Sequence, residues 1–208
     1  MAEADLAPLA LDLAQWGVTD PGTLAWLVPP PAAHLAQARE LLGELGALDG
    51  DWRITAHGKA MARLSQHPRL AHMVLKGREL GLGGLACDLA ALLEERDVLR
   101  PSREARDSDL RLRLDALRGE ERGLPVDRAA LARARQGARD LRRRLGLKAG
   151  EQQGGRGDCG LVLAFAYPDR IARRRPGGEP RYAMTGGGGA VFPGHEPLAA
   201  EEWLALAE

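Results

Sequence analysis

Between Val126 and Leu145 the residues Ala130, Ala134, Ala138, Leu141 and Leu145 recur every three or four positions in a polar, arginine-rich background. With 3.6 residues per turn, that spacing predicts one long amphipathic α-helix with these five side chains on its inner stripe. An apolar stripe of this length has to be buried, and the preceding sequence supplies partners of the same kind. Leu70, Met73, Val74 and Gly77 form one helical stripe behind Pro68, and Leu85, Leu89, Leu92 and Leu93 form another. A further helix, opened by Ser108 or Asp109, carries Leu110, Leu114 and Leu117. Residues 67–150 therefore read as a small helical bundle. Aromatic residues make up 4% of the 208 positions, so its core rests on Leu, Ala and Val.

The flanking segments are built differently. Leu6, Leu9, Ala10, Leu13 and Gly17 follow Asp5 at helical spacing, with Asp5 suited to an N-cap. Asp20 and Pro21 restart a short helix carrying Leu24 and Leu27, which the prolines 29–31 end. The next helix carries Leu35, Ala38, Leu42 and Leu45, with Gly46 placed to stop it. Residues 47–54 read as two very short strands around an Asp49–Gly50 turn, and Thr55 caps a helix running to about Leu64. Three helices, a hairpin and a helix within residues 1–66 predict a winged-helix-like module. Gly150–Gly157 is a Gly-rich linker. The apolar run Leu161–Tyr167 permits a buried helix or a buried strand. Beyond it, Arg181–Met184, Ala190–Phe192 and Trp203–Ala207 read as three short strands, so residues 151–208 predict a partial β region, the start of a small barrel cut short. The expected fold class is mainly α with this incomplete β segment at the end.

Catalytic signatures are scarce. Gly186–Gly189 is not followed by Lys-Ser or Lys-Thr, which makes it a turn between strands rather than a phosphate loop. No GxSxG, HExxH or paired CxxC occurs, and Cys87 and Cys159 stand far apart. His57, His67 and His72 crowd one stretch, but His67 and His72 are five residues apart and diverge around a helix, which argues for structural or solvent-facing histidines. No segment reaches the ~18 apolar residues of a membrane span, and the acidic start lacks the pattern of a secretory signal, so a cytoplasmic protein with no membrane partner is expected.

Charge is where the chain becomes informative. The net charge is zero, yet residues 1–52 hold 8 acidic and 1 basic residue, a net of −7. Residues 53–138 carry +5, residues 139–175 carry +6, and residues 176–208 carry −4. Arg outnumbers Lys 26 to 3, a skew that guanidinium chemistry at phosphates and codon usage in a GC-rich genome would both produce. Two clusters stand out. Arg139, Arg142 and Arg143 project near one another from the long helix, with Arg144 on an adjacent face. Arg170, Arg173 and Arg174, with Arg175, follow Tyr167 and Pro168. Such clusters bind phosphates in a salt-dependent, sequence-tolerant way; the alternative is a solvated helix face and a charged loop.

Several stretches together carry a family resemblance. Leu45–Leu48, Ile54–Leu64 and His67–Met73 resemble the accessory region of DEAH/RHA-type ATP-dependent RNA helicases, in particular the bacterial ones. Trp26-Leu27 ahead of prolines 29–31, Glu95-Arg96-Asp97, and Ala166–Ala172 are similar to that family in the same order. Ser65-Gln66, Val98 and Gly188 depart from its usual residues. The resemblance implies a winged helix, a helical ratchet domain and a shortened OB-like part, which in the family follow two RecA-like domains. Those domains use ATP and Mg²⁺; this chain has no Walker A Lys, DEAH box or arginine finger motif, so no catalytic residue, cofactor or metal is expected in it. It reads as a fragment, or a truncated reading frame, that cannot drive unwinding itself. The implied partners are the RecA-like core of the same polypeptide and single-stranded RNA, with the two arginine clusters as phosphate contacts. A module that mainly braces helicase domains is the alternative, and the −7 charge of the first 52 residues suits a protein-facing winged helix better than a DNA-reading one.

Overall fold

Two short polar side chains set the helical frame at the front of the chain. Asp5 accepts a hydrogen bond from the Ala7 N–H at 2.8 Å, and Thr55 accepts one from the Gly58 N–H at 3.0 Å. Each satisfies a donor that a helix start leaves without an intrahelical partner. The computed structural model describes residues 5–100, 107–120, 123–177, 179–192, 194 and 196–207. Two units are present, one reaching to Leu75 and the other running from Lys76 onward.

The first unit holds α1 (Ala7–Gln15), α2 (Ala32–Glu44), α3 (Ala56–Ala62) and most of α4 (Pro68–Glu79). Leu13, Leu42, Leu45 and Met61 are fully buried within it. The expected short helix after Asp20 is not formed. Pro21–Thr23 makes a single 3₁₀ turn capped by Asp20, Leu24 turns extended, and Leu27 is fully exposed. The cause lies downstream: Val28 precedes a run of prolines that disfavours helical backbone before each of them. The Trp26 indole N–H donates to the Pro21 carbonyl at 2.8 Å and pins the loop instead. The expected hairpin is reduced to one antiparallel bridge, Leu48 with Ile54. Asp49 closes it, its carboxylate accepting from the Asp51 and Arg53 N–H groups at 2.9 Å each. α3 packs on this turn so closely that a Cβ on Gly58 would lie 2.2 Å from the Ala47 carbonyl oxygen. Ser65, at the corner before α4, adopts the left-handed region at φ 53°.

The second unit is built around α5 (Gly83–Glu94), whose residues from Gly83 to Leu92 are all buried. α6 (Leu110–Arg118), α7 (Arg128–Leu145) and α8 (Cys159–Ala166) all contact it, α7 most extensively. The stripe Ala130, Ala134, Ala138, Leu141 and Leu145 is buried as its spacing predicts. Asp127 caps α7 through the Ala129 and Ala130 N–H groups, and Gly146 ends it at φ 70°. The ambiguous run after Gly160 is helical: Val162, Leu163 and Ala166 are buried while Leu161 is exposed. No described helix is long and apolar enough to cross a membrane.

After α8 the described residues form four strands rather than three: β1 (Ile171–Arg174), β2 (Arg181–Met184), β3 (Gly189–Val191) and β4 (Trp203–Ala205). They form an antiparallel sheet in the order β3-β2-β1-β4. β1 escapes the sequence pattern because Ala172 is its one buried side chain and two of its four residues are arginine. Ala172, Tyr182 and Leu204 pack its inner face, and the Tyr182 ring meets Phe192 edge to face at 5.9 Å. The glycines at 186–189 form the turn from β2 to β3, with Gly187 and Gly188 at positive φ. The architecture is mainly helical with a small four-stranded antiparallel sheet.

Candidate nucleic-acid interface

The two arginine clusters have different fates. On α7, Arg142 turns inward. Its guanidinium sits 2.7 Å from the Asp88 carboxylate and 3.0 Å from the Gly84 carbonyl, with its side chain 14% exposed. Arg118 from α6 reaches the same carboxylate at 3.3 Å and also donates to the Gln153 and Gly154 carbonyls. Asp88, 2% exposed, thus ties α5 to α6, α7 and the loop before α8. A carboxylate this buried must be paired, and two guanidinium groups do it. A second buried carboxylate, Asp115, is bonded by Arg156. Arg139 and Arg143 stay on the outer face: Arg139 donates to Gln136 at 2.6 Å, and Arg143, 76% exposed, pairs with Asp140 at 3.2 Å. Arg144 is exposed as well.

The second cluster lies on β1 and its approach. Arg170 stacks over Tyr167 with 5.2 Å to the ring centroid and donates to the Ala207 carbonyl at 2.6 Å, so it links the start of β1 to the chain end. Arg173 stands on the outer face of the sheet, directly opposite Trp203 on β4 and Ala183 on β2. Its guanidinium lies 5.1 Å from the Trp203 ring centroid and 3.2 Å from the Glu202 carboxylate. Arg174 is half-buried and pairs in register with Tyr182. Arg173, Arg174 and Arg175 line a groove of about 740 Å³ together with Ala183, Ala200 and Glu202. Of the six arginines singled out in the sequence, Arg173 and Arg174 share this groove, Arg139 and Arg143 share the exposed face of α7, and Arg142 and Arg170 are held by internal partners.

Asp88, Arg118 and Trp203 were not singled out in the sequence. Asp88 had a signal, since it is the one carboxylate inside the apolar run from Leu85 to Leu93. Trp203 had a weaker one, as one of 4 Trp residues and placed on a short strand.

Nucleophilic chemistry finds no support at the cysteines. Burial pushes the Cys87 thiol up to about 12 and the Cys159 thiol up to about 11, so neither is a thiolate near neutral pH. Among the described residues no group of three or more His, Cys, Asp or Glu side chains could hold a metal ion. The histidine pair that meets is not His67 with His72. His57 of α3 and His72 of α4 approach to 2.9 Å between ring nitrogens, while His67 pairs with Asp5 at 3.0 Å.

No family model matches the chain. Individual proteins do. It is 37% identical over 205 residues, 97% of its length, to the ATP-dependent RNA helicase HrpB of Escherichia coli K12. It is 33% identical over 108 residues, 51% of its length, to the probable ATP-dependent RNA helicase DHR2 of Saccharomyces cerevisiae. The crystal structure of the E. coli DExH-box NTPase HrpB matches 99% of the chain with a TM-score of 0.78 and 34% identity. A second crystal structure, of the E. coli DEAH/RHA helicase HrpB, matches with a TM-score of 0.77. The chain spans 22% of E. coli HrpB and 15% of DHR2. By sequence and fold it is related to the DEAH/RHA helicases. The likeness is to a part of HrpB, consistent with the C-terminal region of an HrpB-like helicase.

Proposed function

We propose that this chain is a non-catalytic accessory region of an HrpB-like ATP-dependent RNA helicase, and that it helps form a single-stranded RNA channel beside a RecA-like ATPase core. In this reading residues 1–66 are the winged helix, 67–150 the ratchet-like bundle and 151–208 a partial OB-like region. ATP and Mg²⁺ belong to the core, the whole works in the cytoplasm, and the chain alone hydrolyses no ATP. The observation that carries the reading is the likeness to HrpB along 97% of the chain. The exposed arginines Arg139, Arg143 and Arg173, with the half-buried Arg174, supply cations for RNA phosphates, whereas Arg142 and Arg170 position backbone. Binding of single-stranded RNA at rising salt tests it. Each phosphate contact contributes about −0.7 to the slope of log K against log salt, so alanine at those four positions flattens the slope by up to about 3. Equal, weak binding by wild type and variant at every salt concentration would sink the phosphate role.

A second reading, a module that braces helicase domains, is favoured by one feature of the first unit. Leu27 and Val28 are exposed beside the prolines 29–31, within a segment of net charge −7. Mixing the chain with a separately produced RecA-like core discriminates the two. Failure to associate, with RNA binding intact, counts against bracing.

A further inference from the structure

Next to the arginine groove, beside Arg173 but outside the groove's lining, the sheet carries a side chain that phosphate binding does not need. Trp203 is 56% exposed, and it projects from the outer face of β4 beside Arg173. The register continues the row across the sheet as Arg173, Ala183 and Gly189. Past Arg173 this row is therefore flat, since its members on β2 and β3 are Ala183 and Gly189. A planar aromatic, a planar cation stacked on it and a shallow floor form a surface that fits a flat ring with an anion attached.

Resting on the RNA-binding reading above, we propose that Trp203 is a base-stacking platform for one unpaired nucleotide of single-stranded RNA, that Arg173 takes that nucleotide's phosphate, and that Glu202 competes for the same guanidinium. Base–aromatic stacking is sequence-tolerant because every base offers a π face, and an adjacent arginine adds both charge and planar contact. The competitor role follows from geometry. Glu202 occupies Arg173 at 3.2 Å in the free chain, and both side chains are more than half exposed, so a phosphate displaces the carboxylate at little loss. Arg175, exposed just past β1, lines the same groove and offers a cation to a flanking phosphate.

The test uses the 208-residue chain with a short oligouridylate and with an abasic oligomer of the same phosphate count, titrated at several salt concentrations. Trp203→Ala is expected to weaken oligouridylate binding by on the order of 10-fold while leaving the salt slope and the abasic affinity unchanged. Trp203→Phe keeps most of the affinity. Arg173→Ala lowers both affinities and flattens the slope. Glu202→Gln tightens both ligands, by about 2- to 5-fold, because it frees Arg173 without removing a cation. If wild type binds oligouridylate no better than the abasic oligomer, or if Trp203→Ala binds it as wild type does while Arg173→Ala weakens it, stacking is refuted and the groove is a phosphate site alone. If wild type binds neither oligomer at low salt, the RNA reading itself fails. If Glu202→Gln leaves both affinities unchanged, the competitor role is refuted.

Discussion

The sharpest division in the α7 cluster is between neighbours, Arg142 and Arg143, and replacing each by alanine measures it. Arg142→Ala removes a 2.7 Å bond to Asp88 and a 3.0 Å bond to the Gly84 carbonyl, both in the interior of the second unit. Breaking a buried ion pair by removing one partner destabilises by about 3–5 kcal/mol, because the other charge stays behind uncompensated. Asp88 keeps Arg118 at 3.3 Å, which sets the expectation at the lower end, about 3 kcal/mol. At about 2–4 °C per kcal/mol for a chain of this length, Tm falls by about 6–12 °C. Arg143→Ala loses an exposed i, i+3 pair at 3.2 Å and changes stability by less than about 0.5 kcal/mol. Thermal unfolding followed by circular dichroism reads both, and RNA affinity measured well below the transition completes the comparison. The expected pattern is a large Tm loss with little loss of affinity for Arg142→Ala, and the reverse for Arg143→Ala. An Arg142→Ala variant that melts within about 2 °C of wild type yet binds RNA poorly would refute the structural role.

Other outcomes are equally concrete. Gly58→Ala places a Cβ 2.2 Å from the Ala47 carbonyl oxygen and 2.8 Å from the Ile54 side chain, so the first unit should lose about 1–3 kcal/mol in urea unfolding. Arg133 hydrogen-bonds the Glu95 carboxylate at 2.6 and 2.9 Å and holds it below the usual carboxylate range. A depressed folded-state pKa stabilises above the unfolded value of about 4.3 and is lost as pH falls through the folded value, so the stability gap between wild type and Glu95→Gln should close in acid. A gap that stays constant from neutral pH down to about pH 2 would contradict that pairing. Cys87 and Cys159, buried with raised pKa values, should resist thiol reagents at pH 8 until denaturant opens the second unit. Immediate labelling of both would show that their sites open without unfolding.

What the sequence made legible, and what it did not, divides along a physical line. The α7 stripe, the Thr55 cap and the Gly46 stop are local devices, encoded in spacing and residue type, and they form as read. Features that depend on partners distant in the chain were not legible. β1 lacks an apolar alternation because its neighbours β2 and β4 supply the core that gives Ala172 its burial. Arg142 looks like its neighbours in sequence, and only Asp88, 54 residues earlier, turns it inward. The candidate site follows the same logic. A count of arginines finds the clusters, but the side chains that decide their use are long-range ones: Asp88 withdraws Arg142 into the core, and Trp203 and Glu202, 30 and 29 residues beyond Arg173, turn a charged strand into a surface with a shape. For a chain this rich in arginine, the informative question is therefore which carboxylate or aromatic ring each guanidinium has already been given, since those without an internal one remain for a ligand.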